Sequence, residues 1–580
     1  MKRTENIVRN LICAFIIGWM ASYILLGYPM SSYTLENTRS QNWIISIGIM
    51  LVTAAIAFGV GLRKEIILHL STIVFVFAAG VLSLFIREDG FEALGFALII
   101  GLTIYLFRED IYTVTKSIVI TDRQVKQLYI ILGTMLFLFA AMVGSLRYYA
   151  YFSDGHDLGI FTQMYEYMLS TGRQLSTVER DELLSHFEVH ISPIYYVLLP
   201  IFFLFRSALT LQICQAVLIA LSIWPFYLLC RHFKLSNKIT VVLGIGYVCY
   251  PALSGGCFND FHENCFLPLL LFLLIYAVEK NKNVLFAISM VLALFVKEDV
   301  SIQLLVLGLY FVISEKSKKK GYILMVTSAL YLGFTLWLLN YGYEGGVLNY
   351  MSNMYLTENE DILEVIKTVL MNPGYALRQC FVSPEKIHYM GWILMPVIGT
   401  LVIRKKYSRY ILFAYMIFMN LMPAHGALND IYFQYHFPVV VFLFYFIMMS
   451  AADWECEDKV NKLPIMVGMT VFLFCVSVFQ SGLYIGIETI QTRENIEKLN
   501  EAVDMIPENA SVRASSLIVP HLTAHKELYG FYVEKETDYI IIDYRPKAET
   551  EYEYIEDWMN MEHYEEIYFV PDVVRLYKLK

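Results

Sequence analysis

Residues 128–163 read L-Y-I-I-L-G-T-M-L-F-L-F-A-A-M-V-G-S-L-R-Y-Y-A-Y-F-S-D-G-H-D-L-G-I-F-T-Q and pass from an apolar run into a polar cluster. The apolar part, 128–146, is long enough to cross a bilayer as a helix, which takes about 20 residues. Asp154, His156 and Asp157 follow where the chain would leave the membrane. Ionisable groups are costly to hold at such a boundary, so their concentration here indicates a functional site.

The whole chain has the composition of a membrane protein. Of its 580 residues, 57% are hydrophobic and only 17% are charged, whereas soluble domains carry about 25%. Apolar blocks recur along the chain, which predicts a polytopic, mainly α-helical bundle of about 13–15 spans. The net charge of -9 and the lack of a basic face exclude a nucleic-acid partner. Cys257 and Cys265 lie at the two ends of a polar loop. We predict that they are free thiols, and a disulfide between them is the alternative.

Basic loops predict which side of the membrane each connection faces, because Lys and Arg accumulate in cytoplasmic loops. With a cytoplasmic N terminus, every strongly basic connection falls on one side; these begin at Arg63, Lys116, Arg231, Glu279, Ser314 and Arg404. The opposite side holds residues 148–207, 257–265, 297–299 and 340–387, the approach to Phe437, and the tail. We therefore expect a multi-pass cell-membrane protein whose polar clusters and C-terminal domain are extracytoplasmic.

Three modules are predicted. Residues 1–127 form an N-terminal four-span module, residues 128–487 form the transmembrane core, and residues 488–580 form a small α/β domain. The tail shows short β-branched runs between polar helical stretches, and no glycine-rich nucleotide motif accompanies them.

The long outer loop 148–207 is predicted to contain helices. Apolar residues follow Asp157 at helical spacing, which predicts an amphipathic helix at the membrane interface. The apolar segment from Pro193 to Phe205 is too short for a span and predicts a second interfacial or re-entrant helix.

Asp157 and Asp154 are the predicted catalytic residues. Asp157 lies at the start of the interfacial helix, where a carboxylate can simply cap free backbone N–H groups. Other ionisable groups converge on the same face, so we rank a general base or a cation ligand above a cap. Asp157 is the first choice, and Asp154 is the second.

Four further clusters are predicted to bind substrate. They are His186 with His190; Asp260, His262 and Glu263; Lys297 with Glu298; and Gln434 with His436. Lys297 suits an anionic phosphate group. For these four clusters in the same order, the competing interpretations are a hydrogen-bonded histidine pair, a solvated turn, an ion pair at a hairpin tip and an interfacial aromatic belt.

No cofactor is certain from the sequence, although a divalent cation is an open alternative. His186 and His190 are spaced i, i+4 and share one face if the segment is helical. That spacing suits a transition metal, with Glu188 or a distant aspartate as a further ligand. The candidate metal ligands are therefore His186, His190, Asp157 and Asp260.

Six runs carry a resemblance to a known family. They are D-L-G-I-F-T-Q from Asp157, H-F-E-V-H-I-S-P-I-Y-Y-V-L-L-P from His186, D-F-H-E from Asp260, V-K-E-D-V from Val296, Y-F-Q-Y-H-F-P from Tyr432 and V-P-H-L-T from Val519. Together they resemble the domain of unknown function 2079 family of polytopic prokaryotic membrane proteins. The resemblance covers about residues 128–545, so the first four spans look like an added module.

That family is distantly similar in layout to the GT-C class of membrane glycosyltransferases. The resemblance implies transfer of a sugar from a polyprenyl-phosphate carrier to a cell-envelope acceptor on the outer face. It also implies that Asp157 or Asp154 is the base or a metal ligand. The alternatives are a transporter or lipid flippase, which would place ionisable groups near the bilayer midplane, and a non-catalytic scaffold.

Overall fold

The computed structural model describes residues 2–26, 43–84, 90–342, 353–354, 362–403, 405–456, 462–531, 535–546 and 563–580. Helices make up most of this part of the chain, and a small sheet lies at its C-terminal end. The predicted fold class, mainly α-helical with a small α/β unit, is confirmed. Arg404 and much of the predicted outer loop 340–387 lie outside the described residues.

The N-terminal helices form a bundle that packs against the rest of the protein. They are α1 (Lys2–Leu26), α2 (Trp43–Arg63), α3 (Glu65–Leu84), α4 (Gly90–Leu106) and α5 (Arg108–Lys116). The chain bends by 63° between the last two. A buried polar group joins this bundle, because His69 Nδ1 lies 2.7 Å from Asp110 Oδ2 and its Nε2 lies 3.3 Å from Asn10 Oδ1.

The core begins with α6 (Asp122–Tyr149), whose first turn is fixed by reciprocal bonds between Thr121 and Gln124. The helices that follow are α7 (Ile160–Thr171), α8 (Leu199–Leu204), α9 (Ala208–Leu221), α10 (Ile223–His232), α11 (Asn237–Val248), α12 (Pro251–Gly256), α13 (Leu267–Glu279), α14 (Asn283–Leu294), α15 (Val300–Ile313), α16 (Lys318–Gly342), α17 (Ile362–Met371), α18 (Pro373–Gln379), α19 (Pro384–Leu394), α20 (Ile398–Leu401), α21 (Phe437–Cys456), α22 (Lys462–Ser477) and α23 (Tyr484–Gln491). The backbones of α15 and α16 approach closely where Gly308 faces Gly321, since a Cβ on either would lie 2.8 Å from the other's carbonyl oxygen.

Fewer helices are long enough to span a bilayer than the predicted 13–15. Among the described residues, six pass by length and apolar composition, or seven if the bent pair is one span. The six are Ile45–Arg63, Glu65–Leu82, Asp122–Tyr149, Ala208–His232, Lys318–Leu339 and Gln434–Glu455. Other apolar blocks form helices of 10–17 residues or are broken by 3₁₀ and π turns. Among the described residues, the remaining predicted spans thus correspond to shorter or broken apolar helices.

The helix predicted after Asp157 is present as α7, and its location at the outer membrane interface stays a prediction. A π-helical turn, Gly155–Gly159, leads into it, and residues such as Phe161, Met164 and Tyr165 are buried. The second predicted helix is a 3₁₀ segment, Pro193–Val197, followed by α8. A two-stranded antiparallel sheet that the sequence did not indicate joins β1 (Leu175–Ser176) to β2 (Leu184–Ser185).

The C-terminal unit contains α24 (Arg493–Asp504) and a five-stranded sheet in the order β4-β3-β5-β7-β6. The strands are β3 (Val512–Ala514), β4 (Leu528–Tyr529), β5 (Tyr539–Asp543), β6 (Tyr564–Val570) and β7 (Val574–Leu579). Strand β3 is parallel to β4 and β5, whereas β7 is antiparallel to both β5 and β6. Every residue of β5 is buried, as expected for a central strand.

This C-terminal unit is held against the outer loop by buried contacts. The Arg545 guanidinium pairs with Asp543 and donates to the carbonyl oxygens of Ala150 at 3.1 Å and Tyr151 at 2.9 Å. The His521 ring stacks on Tyr151 with ring centres 3.7 Å apart. The unit therefore forms part of the wall around the polar end of α6.

Candidate functional site

A cavity of about 710 Å³ lies at the end of α6, in the volume range of small-molecule sites. Its wall combines the end of α6 and the π turn with the loop after α12, the segment before α21 and the C-terminal unit. Four predicted site residues line it, namely Asp154, Asp157, Asp260 and Gln434. The tertiary structure thus brings together residues from three of the clusters that the sequence singled out.

Asp154, and not Asp157, caps the turn that enters the outer loop. The Asp154 carboxylate accepts from the backbone N–H of His156 at 2.9 Å and from the Ser516 hydroxyl. Asp157 lies inside the turn, where its Oδ2 accepts from Asn259 Nδ2 at 3.3 Å. The backbone cap that the sequence suggested for Asp157 is therefore formed by Asp154. The Asp157 carboxylate does not cap the turn and lines the cavity.

The environment of Asp157 favours its protonated form. Burial, reinforced by the negative charges of Asp260 and Asp154, raises the pKa of Asp157 to about 7. The hydrogen bond from Asn259 opposes this shift without cancelling it. A carboxyl group with a pKa near neutrality on a cavity wall can take up and release a proton, which is the property of a general base.

Asp260 organises the wall beside Asp157. Its carboxylate accepts from Ser153 at 2.7 Å, Gln212 at 2.7 Å and the backbone N–H of Asp154 at 3.0 Å. It also pairs with Arg147 Nη2 at 3.0 Å, which brings a cation to the cavity wall. With so many donors already bound, Asp260 orients the end of α6 and the turn that follows.

The remaining wall is aromatic and amide-rich. Gln434 accepts from Asn259, and this bond joins the segment before α21 to the loop that carries Asp260. Phe152, Phe258 and Tyr432 also line the cavity. Ring faces beside amide and carboxylate groups suit a ligand with both C–H and hydroxyl groups.

A second group of predicted residues forms a buried ionic network behind this wall. Glu263 pairs with His262 Nδ1 at 3.0 Å and Lys297 Nζ at 3.3 Å, and it accepts from the Tyr195 hydroxyl. Burial alone would raise the pKa of Glu263, but the nearby His262 and Lys297 lower it below its usual value. Lys297 is thus neutralised by Glu263, and it does not line the cavity. The ring of Tyr435, which does line it, lies 5.9 Å from Lys297 Nζ.

His186 begins the 3₁₀ turn His186–Glu188 and His190 follows this turn, with the two ring centres 5.9 Å apart. Each ring nevertheless faces its own carboxylate, because His186 Nδ1 lies 3.0 Å from Glu179 and His190 Nδ1 lies 2.9 Å from Glu298. Burial opposes protonation of His186, but Glu179 outweighs burial and raises its pKa.

The four candidate metal ligands His186, His190, Asp157 and Asp260 are divided between the cavity and the network. Over the described part of the chain, no three His, Cys, Asp or Glu side chains are grouped so that they could hold a metal ion. The histidines are engaged by carboxylates, and Asp260 is engaged by Arg147 and three other donors. The donor set therefore does not fit a cation shared by these four residues.

His436 and the cysteine pair that the sequence singled out do not line the cavity. His436 is fully buried behind the wall, with its ring packed against Phe437. Cys257 and Cys265 are buried free thiols, so the favoured interpretation of this pair holds in the structure.

Sequence reasoning missed several residues of the wall. Arg147 is the most important, and its signal was a cation at the end of a span that the basic loops predict to be outside, against the bias toward cytoplasmic charge. Asn259 stands beside the quoted D-F-H-E run and had no distinctive pattern of its own. Ser516, which bonds Asp154, lies more than 350 residues away in the chain, and only the tertiary fold reveals it.

The model of the family described as "Predicted membrane protein (DUF2079)" matches residues 147–567. The chain belongs to this family. The match includes every residue that lines the cavity and leaves the first five helices outside it. No match to the chain was found among curated proteins.

Two solved structures of one protein are similar to the chain. The crystal structure of ArnT from Cupriavidus metallidurans bound to undecaprenyl phosphate shares 10% identity, covers 79% of this chain and 98% of that chain, and has a TM-score of 0.42. The structure of the same protein in the apo state shares 10% identity, covers 76% and 97%, and has a TM-score of 0.39. Values this low identify no activity for this chain.

Proposed function

We propose that this chain is a membrane glycosyltransferase that moves a sugar from a polyprenyl-phosphate carrier to an acceptor hydroxyl of the cell envelope. One observation carries the proposal: the Asp157 carboxyl, with its raised pKa, faces a cavity that also holds the Arg147 cation and several aromatic rings. A base can take the proton of an attacking hydroxyl, a cation can stabilise the charge on a departing phosphate, and ring faces can pack against a sugar. The cavity lies at the end of a membrane-spanning helix, where a lipid-linked substrate would be presented.

In the proposed reaction, Asp157 takes the proton of the acceptor hydroxyl as that oxygen attacks the anomeric carbon of the sugar. A new carbon–oxygen bond forms, and the bond from the anomeric carbon to the phosphate oxygen breaks. Its electron pair leaves with the polyprenyl phosphate. Arg147 would pair with the charge that accumulates on this phosphate.

We assign the phosphate-binding role to Arg147 in preference to Lys297. Lys297 is buried and paired with Glu263, so a phosphate would have to displace an existing ion pair. Breaking a buried pair leaves an uncompensated charge and is strongly unfavourable. Arg147 keeps free guanidinium donors beyond those that Asp260 accepts, because an arginine carries five N–H donors.

The buried ionic network favours one alternative function. Its alternation of histidines and carboxylates, as in His190–Glu298 and His262–Glu263, is the chemistry that transporters use to relay protons. A lipid flippase or transporter would move its lipid without breaking a sugar–phosphate bond. The same preparation can therefore be assayed for both activities.

The test is transfer of radiolabelled sugar from polyprenyl-phosphate donors by the full-length protein in nanodiscs, with cell-envelope extract as the acceptor. Asp157→Asn keeps the size of the side chain and removes the base, and we expect transfer to fall at least about 100-fold. Asp572→Asn is the matched control, because Asp572 is exposed in the β6–β7 turn and asparagine accepts its positive φ of 58°. Unchanged transfer by Asp157→Asn would refute the role of Asp157. Lipid movement without sugar transfer would favour the transporter.

A further inference from the structure

A narrow groove of about 210 Å³ lies beside α6, next to the cavity that Asp157 lines. One wall of this α6 groove is α6 itself, and the other is the π turn Val478–Leu483 with the start of α23. The described residues that line it are apolar side chains and a glycine, and those used below are Phe139, Met142, Leu146, Phe479, Gly482 and Ile485. Such a surface suits an apolar ligand, or the apolar part of a larger one.

The α6 groove is continuous with the cavity. Ile485 lines both of them. Phe139 of the groove packs edge-on against Phe258 of the cavity wall, with ring centres 5.7 Å apart. Leu146 lines the groove and directly precedes Arg147, which lines the cavity. A ligand whose charged end lies at Arg147 can therefore place its apolar part in the groove.

The groove is open on the lipid side of α6. By length and apolar composition, α6 can span a membrane from Asp122 to Tyr149, and Arg147 lies in its last turn. The groove thus extends from Arg147 along the apolar part of the span. Met142 on one rim is 56% exposed, and Phe479 on the other rim is 41% exposed. Both rims can therefore contact a chain that enters from the bilayer.

The size of the α6 groove limits what it can hold. Its volume of about 210 Å³ is below the roughly 300–1,000 Å³ of pockets that enclose a whole small molecule. From Leu146 to Phe139, α6 rises by about 10 Å. The groove therefore suits one short stretch of a single chain. A phospholipid carries two chains side by side, whereas a polyprenyl phosphate carries one chain on its phosphate.

We propose that the α6 groove holds the part of a polyprenyl chain nearest to its phosphate, while the phosphate lies at Arg147. The choice of a polyprenyl phosphate rests on the function proposed above. Enclosing the first isoprene units fixes the carrier along α6, so that its sugar–phosphate bond lies in the cavity with Asp157. The rest of the chain remains in the bilayer.

Binding is tested with a carrier that bears no sugar. The full-length protein in detergent is titrated with undecaprenyl phosphate, and the bound lipid is counted by native mass spectrometry. Phosphatidylglycerol serves as the competing two-chain anionic lipid. We expect saturable binding of undecaprenyl phosphate that an excess of phosphatidylglycerol does not displace.

Gly482→Leu should fill the α6 groove. The backbone at Gly482 has no positive φ, and a Cβ there would lie at an ordinary 3.5 Å from the Phe258 ring, so the fold should be retained. We expect undecaprenyl phosphate to bind about tenfold more weakly, because the new side chain takes the place of buried chain methylenes. Gly486→Leu is the matched control, since a Cβ there meets nothing within 4 Å and Gly486 does not line the groove.

Met142→Gln and Met135→Gln make the same change on one face of α6, two helical turns apart. Their side chains are 56% and 57% exposed, so both variants place an amide in a similar lipid-facing position. Only Met142 lines the groove. Met142→Gln should weaken carrier binding about threefold, because an apolar chain would have to cover the amide. Met135→Gln should leave binding unchanged.

The proposal is overturned if undecaprenyl phosphate does not bind, if phosphatidylglycerol displaces it, or if Gly482→Leu and Met142→Gln both bind it as the unaltered protein does. Asp157→Asn should still bind the carrier, because Asp157 lines the cavity and not the groove. Carrier binding without sugar transfer would refute the glycosyltransferase and leave the groove assigned. Sugar transfer that Gly482→Leu leaves unchanged would overturn the groove and leave the glycosyltransferase standing.

Discussion

Three aspartates around one cavity differ in what surrounds them. Asp154 caps a turn and Asp260 accepts from four groups, so both carboxylates hold backbone and side chains in place. Asp157 receives one long hydrogen bond and faces two neighbouring negative charges. A carboxylate that few donors stabilise keeps its affinity for protons. This difference distinguishes Asp157, the proposed base, from Asp154 and Asp260.

The raised pKa of Asp157 predicts the pH dependence of transfer. A general base acts when deprotonated, so the single-turnover rate should rise as the pH increases through about 7 and level off above it. The measurement is the transfer rate between pH 5.5 and 9. A rate that is flat or falls across pH 7 would contradict the assignment.

The raised pKa of Asp157 also makes the stability of the folded protein depend on pH. Because the pKa of Asp157 is higher in the folded state than its usual 3.8, its contribution to stability is complete below pH 3.8 and is lost as the pH rises through about 7. We expect the Tm of the unaltered protein to fall relative to that of Asp157→Asn between pH 5 and 8. Asp572→Asn should follow the unaltered protein across this range.

At the scale of elements, the π turn before α7 depends on close contact with the C-terminal unit. Gly159 has ordinary helical backbone angles, so no conformational strain requires a glycine there. A Cβ at this position would instead lie 2.6 Å from Val519 Cγ1, and Val519 is buried in the 3₁₀ turn Val519–His521. The turn that carries Asp157 is therefore held by the C-terminal unit as well as by the core.

Gly159→Ala is predicted to loosen this contact. Overpacking of a buried contact costs about 1–3 kcal/mol, because stiff, β-branched Val519 cannot move aside without shifting its turn. Hydrogen exchange should be faster in residues 512–521 of the variant. Gly486→Ala is the control, since a Cβ there meets nothing within 4 Å. Equal protection in the two variants would show that the contact does not hold the turn.

For the whole molecule, the sidedness inferred from the basic loops remains a prediction. The cavity, the C-terminal unit and the short connection around Lys297 lie at one end of the described helices. Residues 314–317 connect α15 to α16, and Lys318–Lys320 form the first turn of α16. The cysteines whose burial the structure describes are buried or half-buried, so they give a low background for labelling.

Cysteines introduced at two exposed positions test this orientation. Glu508→Cys in the C-terminal unit should react with a membrane-impermeant maleimide in intact cells, whereas Lys319→Cys should react only after the cells are opened. The opposite result would place the proposed site in the cytoplasm. That outcome would also exclude a cell-envelope acceptor.

The sequence by itself determined the membrane class, the family, the α/β tail and the cluster from Ser153 to Asp157. These features are local, because hydropathy, strand-forming runs and short motifs are written in consecutive residues. The same local information did not show where an apolar block is broken, because a break such as a 3₁₀ or π turn depends on the packing around it.

Only the tertiary structure decided which polar residues share a cavity and which pair with one another. It placed Arg147 beside Asp260, Ser516 on Asp154, and Lys297 on Glu263. The physical reason is that the charge, burial and pKa of a side chain depend on its neighbours in space, and here those neighbours are often more than 100 residues away along the chain.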